Sequence, residues 1–171
     1  MQTQKSPRAF DAIEWIGTRA PSLQRFLGHE LQPLLHFALM WNMFEGQLCD
    51  SSASVPTLEE VAARLAQRGF ATHPAAESFK KFIQDRYFTN GTLTDKFHSL
   101  RLRSDQERTA VLSAVSGKAE NPSDIIFAQL LVVYRYRNNT FHGLKEIAEV
   151  FGSQVLFDEA ARYLGAVLDV A

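Results

Sequence analysis

Asn121-Pro122-Ser123-Asp124-Ile125-Ile126-Phe127-Ala128-Gln129-Leu130-Leu131-Val132-Val133-Tyr134-Arg135-Tyr136-Arg137-Asn138-Asn139-Thr140-Phe141-His142-Gly143 decides how this chain folds. Its start is written for a helix. Asn121 can cap, Pro122 suits a first turn, and Asp124 faces the positive end of the helix dipole. Its middle is apolar from Ile125 to Val133, broken by Gln129, and too short for the roughly 18 residues of a membrane span. Its end is polar and cationic, and Gly143 reads as a stop. A helix from Pro122 to about Phe141–His142, apolar through its centre, must lie inside a bundle of other helices.

Working outward, the same signals recur. Thr57-Leu58-Glu59-Glu60 and Ser104-Asp105-Gln106-Glu107 fit the capping-box pattern, with a hydroxyl at the N-cap and a glutamate reaching back. Thr72-His73-Pro74 opens a further helix. A long helix is expected over Leu23–Cys49, with Leu34, Ala38, Trp41, Glu45 and Leu48 on one face and Pro33 as either a kink or the true beginning. Gln154–Val170 carries Phe157, Ala160, Ala161, Leu164, Val167 and Leu168 as a buried stripe. Gly152 marks a turn, as does Asn90-Gly91-Thr92, and Cys49–Val55 is a polar loop. No run alternates as a half-buried strand would. The expected fold is all-α: one domain over 1–171, an up-down bundle built on helices at about 23–49, 122–142 and 154–170. Shorter helices at about 57–117 are expected to pack at one end as an insertion.

Composition bounds the function. The 171 residues are 46% hydrophobic and 22% charged, enough for one real core. The 18 basic and 19 acidic residues leave a net charge of -1, so any nucleic-acid binding must come from a local patch. The lone Cys49 excludes an internal disulfide and a multi-cysteine zinc site. The polar Met1–Phe10 stretch lacks an apolar signal core, so a cytoplasmic location and no membrane association are expected. His29 and His36 have no third ligand at a metal-site spacing. No glycine loop or dinucleotide fingerprint is present, so neither a metal nor another cofactor is expected.

Chemistry concentrates in Arg137-Asn138-Asn139-Thr140-Phe141-His142. Arginine keeps its charge and can stabilise phosphate, whereas histidine moves protons near neutral pH. At 3.6 residues per turn, Arg137 and His142 stand about 140° apart and cannot share a face of one regular helix. Either the helix ends near Asn139 and releases His142, or a twofold dimer brings Arg137 of one protomer beside His142 of the other. Arg135, Asn138 and His142 do follow three- and four-residue steps. The plainer reading is a helix end, with the arginine complementing the dipole and the histidine capping the last carbonyls.

The same residues resemble the signature of the HEPN superfamily (higher eukaryotes and prokaryotes nucleotide-binding). Its ribonuclease members carry an arginine, commonly a polar follower, and a histidine four to six residues after the arginine; here these are Arg137, Asn138 and His142. The Tyr134-Arg135-Tyr136 lead and the Phe141-His142-Gly143 ending, followed by Lys145, are also similar to bacterial members. Trp41-Asn42-Met43-Phe44-Glu45 resembles the upstream helix that supplies a carboxylate, here Glu45. The resemblance covers Leu31–Cys49 and Asn121 to the end, not Val55–Gly117.

It implies a metal-independent endoribonuclease at a homodimer interface, of the toxin or phage-defence kind, with an antitoxin or other regulatory protein as a partner. His142 would serve as general base or acid, and Arg137 would stabilise the transition state. Asn138 would orient the imidazole or donate to phosphate, and Glu45 would position Arg137 or His142. The implied products are a 2′,3′-cyclic phosphate and a 5′-OH. Arg135, Lys145 and Tyr134 would contact RNA, with Tyr134 and Tyr136 able to stack on bases. No tyrosine follows His142 closely, so the tyrosine modification known in some toxin–antitoxin pairs is not expected. The alternative is a non-catalytic helical module that dimerises and binds nucleic acid or a partner. Arg101, Arg103 and Arg108, and Lys80, Lys81 and Arg86, form further basic clusters, read either as solvated faces or as tracks for RNA.

Overall fold

The computed structural model describes residues 11–19, 31–141 and 153–171. Its helices are α1 (Ala12–Arg19), α2 (Gln32–Leu48), α3 (Val55–Gln67), α4 (Pro74–Tyr87), α5 (Asp95–His98), α6 (Asp105–Val115), α7 (Pro122–Phe141) and α8 (Gln154–Val170), with a 3-10 turn at Phe70–Thr72. The fold is an all-α bundle. Its strands, β1 (Phe88–Thr89) and β2 (Thr92–Leu93), form one small antiparallel hairpin pairing Phe88 with Leu93. Asn90 and Gly91 turn it with φ of 53° and 77°, the left-handed pair that a two-residue hairpin requires.

Helix starts follow local chemistry. Asn121 Oδ1 accepts the Ser123 N–H at 2.9 Å, and His73 Nδ1 accepts that of Ala75 at 3.2 Å ahead of Pro74. Ser104 Oγ accepts the Glu107 N–H at 3.2 Å, but Glu107 reaches one residue further back than a capping box, to the Arg103 N–H at 2.9 Å. The expected cap at Thr57 is corrected. Ser54, extended at φ −137°, caps α3 by accepting the Thr57 N–H, because Pro56 fits the first turn and draws the start three residues upstream. Pro33 lies in the first turn of α2 and does not kink it; residues 23–30 of the expected long helix lie outside the described residues. Gly143 and Gly152 also lie outside them.

α7 is the centre. Every side chain from Ile126 to Val133 is buried, including Gln129, whose Nε2 donates to the Ala76 carbonyl at 2.7 Å. α3 and α6 pack along α7, α2 packs on α8, and α4 bridges α8 and α6. Phe37 meets Phe157 at 5.4 Å between ring centroids, and Phe79 meets Tyr163 at 4.7 Å. Leu58, Val61, Leu65, Phe79 and Ile83 belong to the same contiguous core as α7. The middle helices therefore share the core instead of standing at one end. They do so because α7, apolar all round its centre, needs cover on more faces than α2 and α8 supply. Among the described residues no helix is long and apolar enough to cross a membrane.

A second buried polar contact, this one between side chains, joins α4 to α7. The Tyr87 and Tyr136 hydroxyls lie 2.7 Å apart, and both rings are buried. Tyr136 is therefore not available to stack on bases. Burial pushes both phenols above 10, and Tyr163 with them. A folded-state value raised above the unfolded one gives stability that is complete below about pH 10 and is lost as pH rises beyond it. Tyr136→Phe is expected to cost about 1–3 kcal/mol at neutral pH by orphaning the Tyr87 hydroxyl, and to flatten the alkaline loss. Denaturant titrations from neutral pH to about pH 11 check this; an alkaline slope unchanged in the variant would count against it.

Candidate functional site at the C-terminal end of α7

Glu45 and Arg137 meet where α2 passes the end of α7. Arg137 Nη2 lies 4.0 Å from Glu45 Oε2, and Nη1 donates to Asn138 Oδ1 at 3.0 Å. Glu45 is itself fixed twice: Oε2 accepts the Trp41 indole N–H at 3.0 Å, and Oε1 accepts the Ala53 N–H at 3.1 Å. Its backbone carbonyl also takes the N–H groups of Cys49 and Ser51. The loop after α2 thus folds over its own glutamate. Trp41 continues the contact to α7 by stacking on Tyr134, centroids 5.9 Å apart at 28°. The Arg137 and Glu45 side chains are about one-quarter exposed, 28% and 21%. Such a pair is worth about 1 kcal/mol or less to stability, so its geometry bears more on what the guanidinium faces than on folding. Asn138 is buried and holds that guanidinium from the helix side.

Three sequence-predicted site residues therefore come together: Glu45, Arg137 and Asn138. Tyr134 flanks them, half-buried against Trp41. Arg135 is a correction. It is 3% exposed, its Nε donates to Glu107 Oε2 at 2.9 Å, and its Nη2 pairs with Oε1 of the same carboxylate. A guanidinium locked inside the bundle does not touch RNA. His142 and Lys145 lie outside the described residues. Ending the helix near Asn139 is also corrected, since α7 runs through Phe141.

Sequence reasoning missed Asn139. It is buried, and its Nδ2 donates to the carbonyls of Ser99 and Leu100, both at 3.1 Å. This fastens the end of α7 to the turn between α5 and α6. The only signal was a second amide beside Asn138 on a helix whose flank faces inward.

Close by, the Cys49 thiol is pushed up to about 11, first by burial, then by the charges of Glu45 and Asp50 against the opposing pull of Arg64. It is 2% exposed, a packing group and not a nucleophile. Among the described residues no three His, Cys, Asp or Glu side chains converge as metal ligands. What the arrangement offers is a fixed cation held by a carboxylate and an amide, five residues ahead of a histidine. No protein-family model, curated protein or solved structure matches the chain.

Proposed function

We propose that the chain is a HEPN-type, metal-independent endoribonuclease that works as a homodimer. The observation that carries this reading is the Glu45–Arg137–Asn138 cluster: a guanidinium oriented from two helices, in the motif that also contains His142. Arg137 stabilises the charge that builds on the attacked phosphate. His142 moves the proton of the 2′-OH or of the leaving 5′-oxygen. Glu45 and Asn138 position Arg137. The products are a 2′,3′-cyclic phosphate and a 5′-OH.

The dimer is supported by α2. Its inner face buries Phe37, Trp41 and Phe44, yet Leu35, Leu39 and Met43 on the opposite face are about half exposed. A helix apolar on both faces calls for cover on both. A second copy would supply it symmetrically, and the proposed cleavage site is one in which Arg137 and His142 of both copies would share a cleft. The same stripe favours a second reading, a dimeric helical module without cleavage.

Single-stranded RNA incubated with the purified protein and a chelator decides between them. Cleavage leaving cyclic-phosphate ends, DNA left intact and loss of activity in His142→Ala are expected. RNA that stays whole would sink the ribonuclease and leave the module. Equal cutting by wild type and variant would remove His142 from the mechanism.

A further inference from the structure

A second cationic feature lies on the turn that Asn139 fastens to α7. A shallow cleft is lined by Phe97, His98, Arg101, Leu102 and Arg108. Among the described residues no carboxylate lines it. Its floor is apolar, with Phe97 2% exposed, and its rim is two guanidiniums and an imidazole. Two exposed cations elsewhere do take carboxylate partners: Lys81 meets Asp85 at 2.7 Å, and Arg162 bonds Asp158 and Glu159. The Arg101 and Arg108 side chains make no ion pair and no hydrogen bond among the described residues. The acid nearest them along α6, Glu107, is turned inward and neutralised by Arg135. Asp95 and Asp105 stand on the same stretch but do not line the cleft.

The backbone holds this rim in place. Arg101 sits at φ 52°, a left-handed conformation costly for a residue with a Cβ, and its N–H donates to the His98 carbonyl at 3.1 Å. Leu100 beside it is buried, and its carbonyl is tied to Asn139. Two arginines that line one cleft, with no carboxylate beside them among the described residues, repel each other, so the cleft gains from an anion that meets both.

We infer that this cleft binds backbone phosphate of single-stranded nucleic acid. Exposed guanidiniums hold a lone ion weakly in water, because solvent and salt screen them. A polyanion gains in addition from released counterions and from contacts beyond the cleft. The site is separate from the cleavage chemistry and needs no 2′-OH, so DNA serves as the probe.

The experiment is an anisotropy titration of the full chain with a short fluorescein-labelled oligo(dT) over a range of KCl concentrations. Arg101→Gln/Arg108→Gln is expected to weaken binding about tenfold or more and to flatten the plot of log affinity against log salt by about 1.4, the value for two lost single-strand phosphate contacts. Arg101→Gly removes one guanidinium and relaxes the positive φ. It is expected to melt no lower than the parent yet bind several-fold more weakly, which separates lost contact from lost fold. An unchanged salt slope in the double variant, no binding by the wild type, or equal displacement by millimolar inorganic phosphate would each overturn the inference. Oligo(dT) binding that depends on the two arginines, in a protein that cuts no RNA, would sink the ribonuclease reading alone.

Discussion

Glu107→Ala is expected to lower folding stability by about 3–5 kcal/mol, the largest single-residue effect in the molecule outside the apolar core. The Arg135 guanidinium is 3% exposed and spends two of its nitrogens on Glu107. Arginine does not give up its proton, so removing the carboxylate strands a charge inside the protein. The Arg103 N–H loses its acceptor at the same stroke, and the start of α6 frays. Replacing both partners by methionine restores most of the loss, because no charge remains to be solvated. Urea unfolding midpoints at constant slope measure both variants. A small cost for Glu107→Ala, or a double variant weaker than the single one, would show that the pair is not the charge trap described.

Arg137→Ala is expected to cut RNA cleavage about 10²–10³-fold while moving stability by about 1 kcal/mol or less. Arg137→Lys keeps the charge but not the fork of donors, so it recovers only part of the activity. Glu45→Gln is the sharper control. Glutamine can still accept from the Trp41 indole or the Ala53 amide, so the loop after α2 stays folded, but Arg137 loses its counter-ion. The expected signature is a lowered kcat with little change in KM. A raised KM at constant kcat would make Glu45 part of substrate binding instead, and a fall in melting temperature matching the fall in rate would make it only structural.

Much of the fold was readable in one dimension. The Asn121-Pro122 start, the apolar centre of α7 and the Asn90-Gly91 turn are all local signals, and each stands where the sequence put it. The stripe of α8 does so as far as Val167, but Leu168 is not buried and the stripe takes in Leu156 and Tyr163 instead. The α3 cap shows where locality fails. Thr57 and Ser54 are both competent hydroxyls, and the choice turned on the proline between them. Arg135 and Arg137 show it more deeply. They stand about 200° apart on one helix, so they face opposite neighbours. Their local sequence does not say which of them turns inward. The answer lies with Glu107, 28 residues upstream of Arg135. Glu45 was found because the resemblance supplied a long-range pairing that periodicity lacks. The dependence of α7 on α3 and α6 was missed because a helix apolar around its centre does not say which elements cover it.

The pairing of α2 with α8 also sets an order of assembly. Phe37 is made early and Phe157 late, and neither is sealed from water until both exist. At roughly 5–20 residues per second of synthesis, the wait is on the order of ten seconds. Through that interval the inner face of α2 stays wet while α3 to α7 are already emerging. A nascent chain stalled just before Gln154 should therefore hold collapsed middle helices, an open flank sensitive to protease, and a Glu45 loop not yet set against its arginine. The Glu45–Arg137 cluster is then expected to reach its full geometry only when α8 closes on α2.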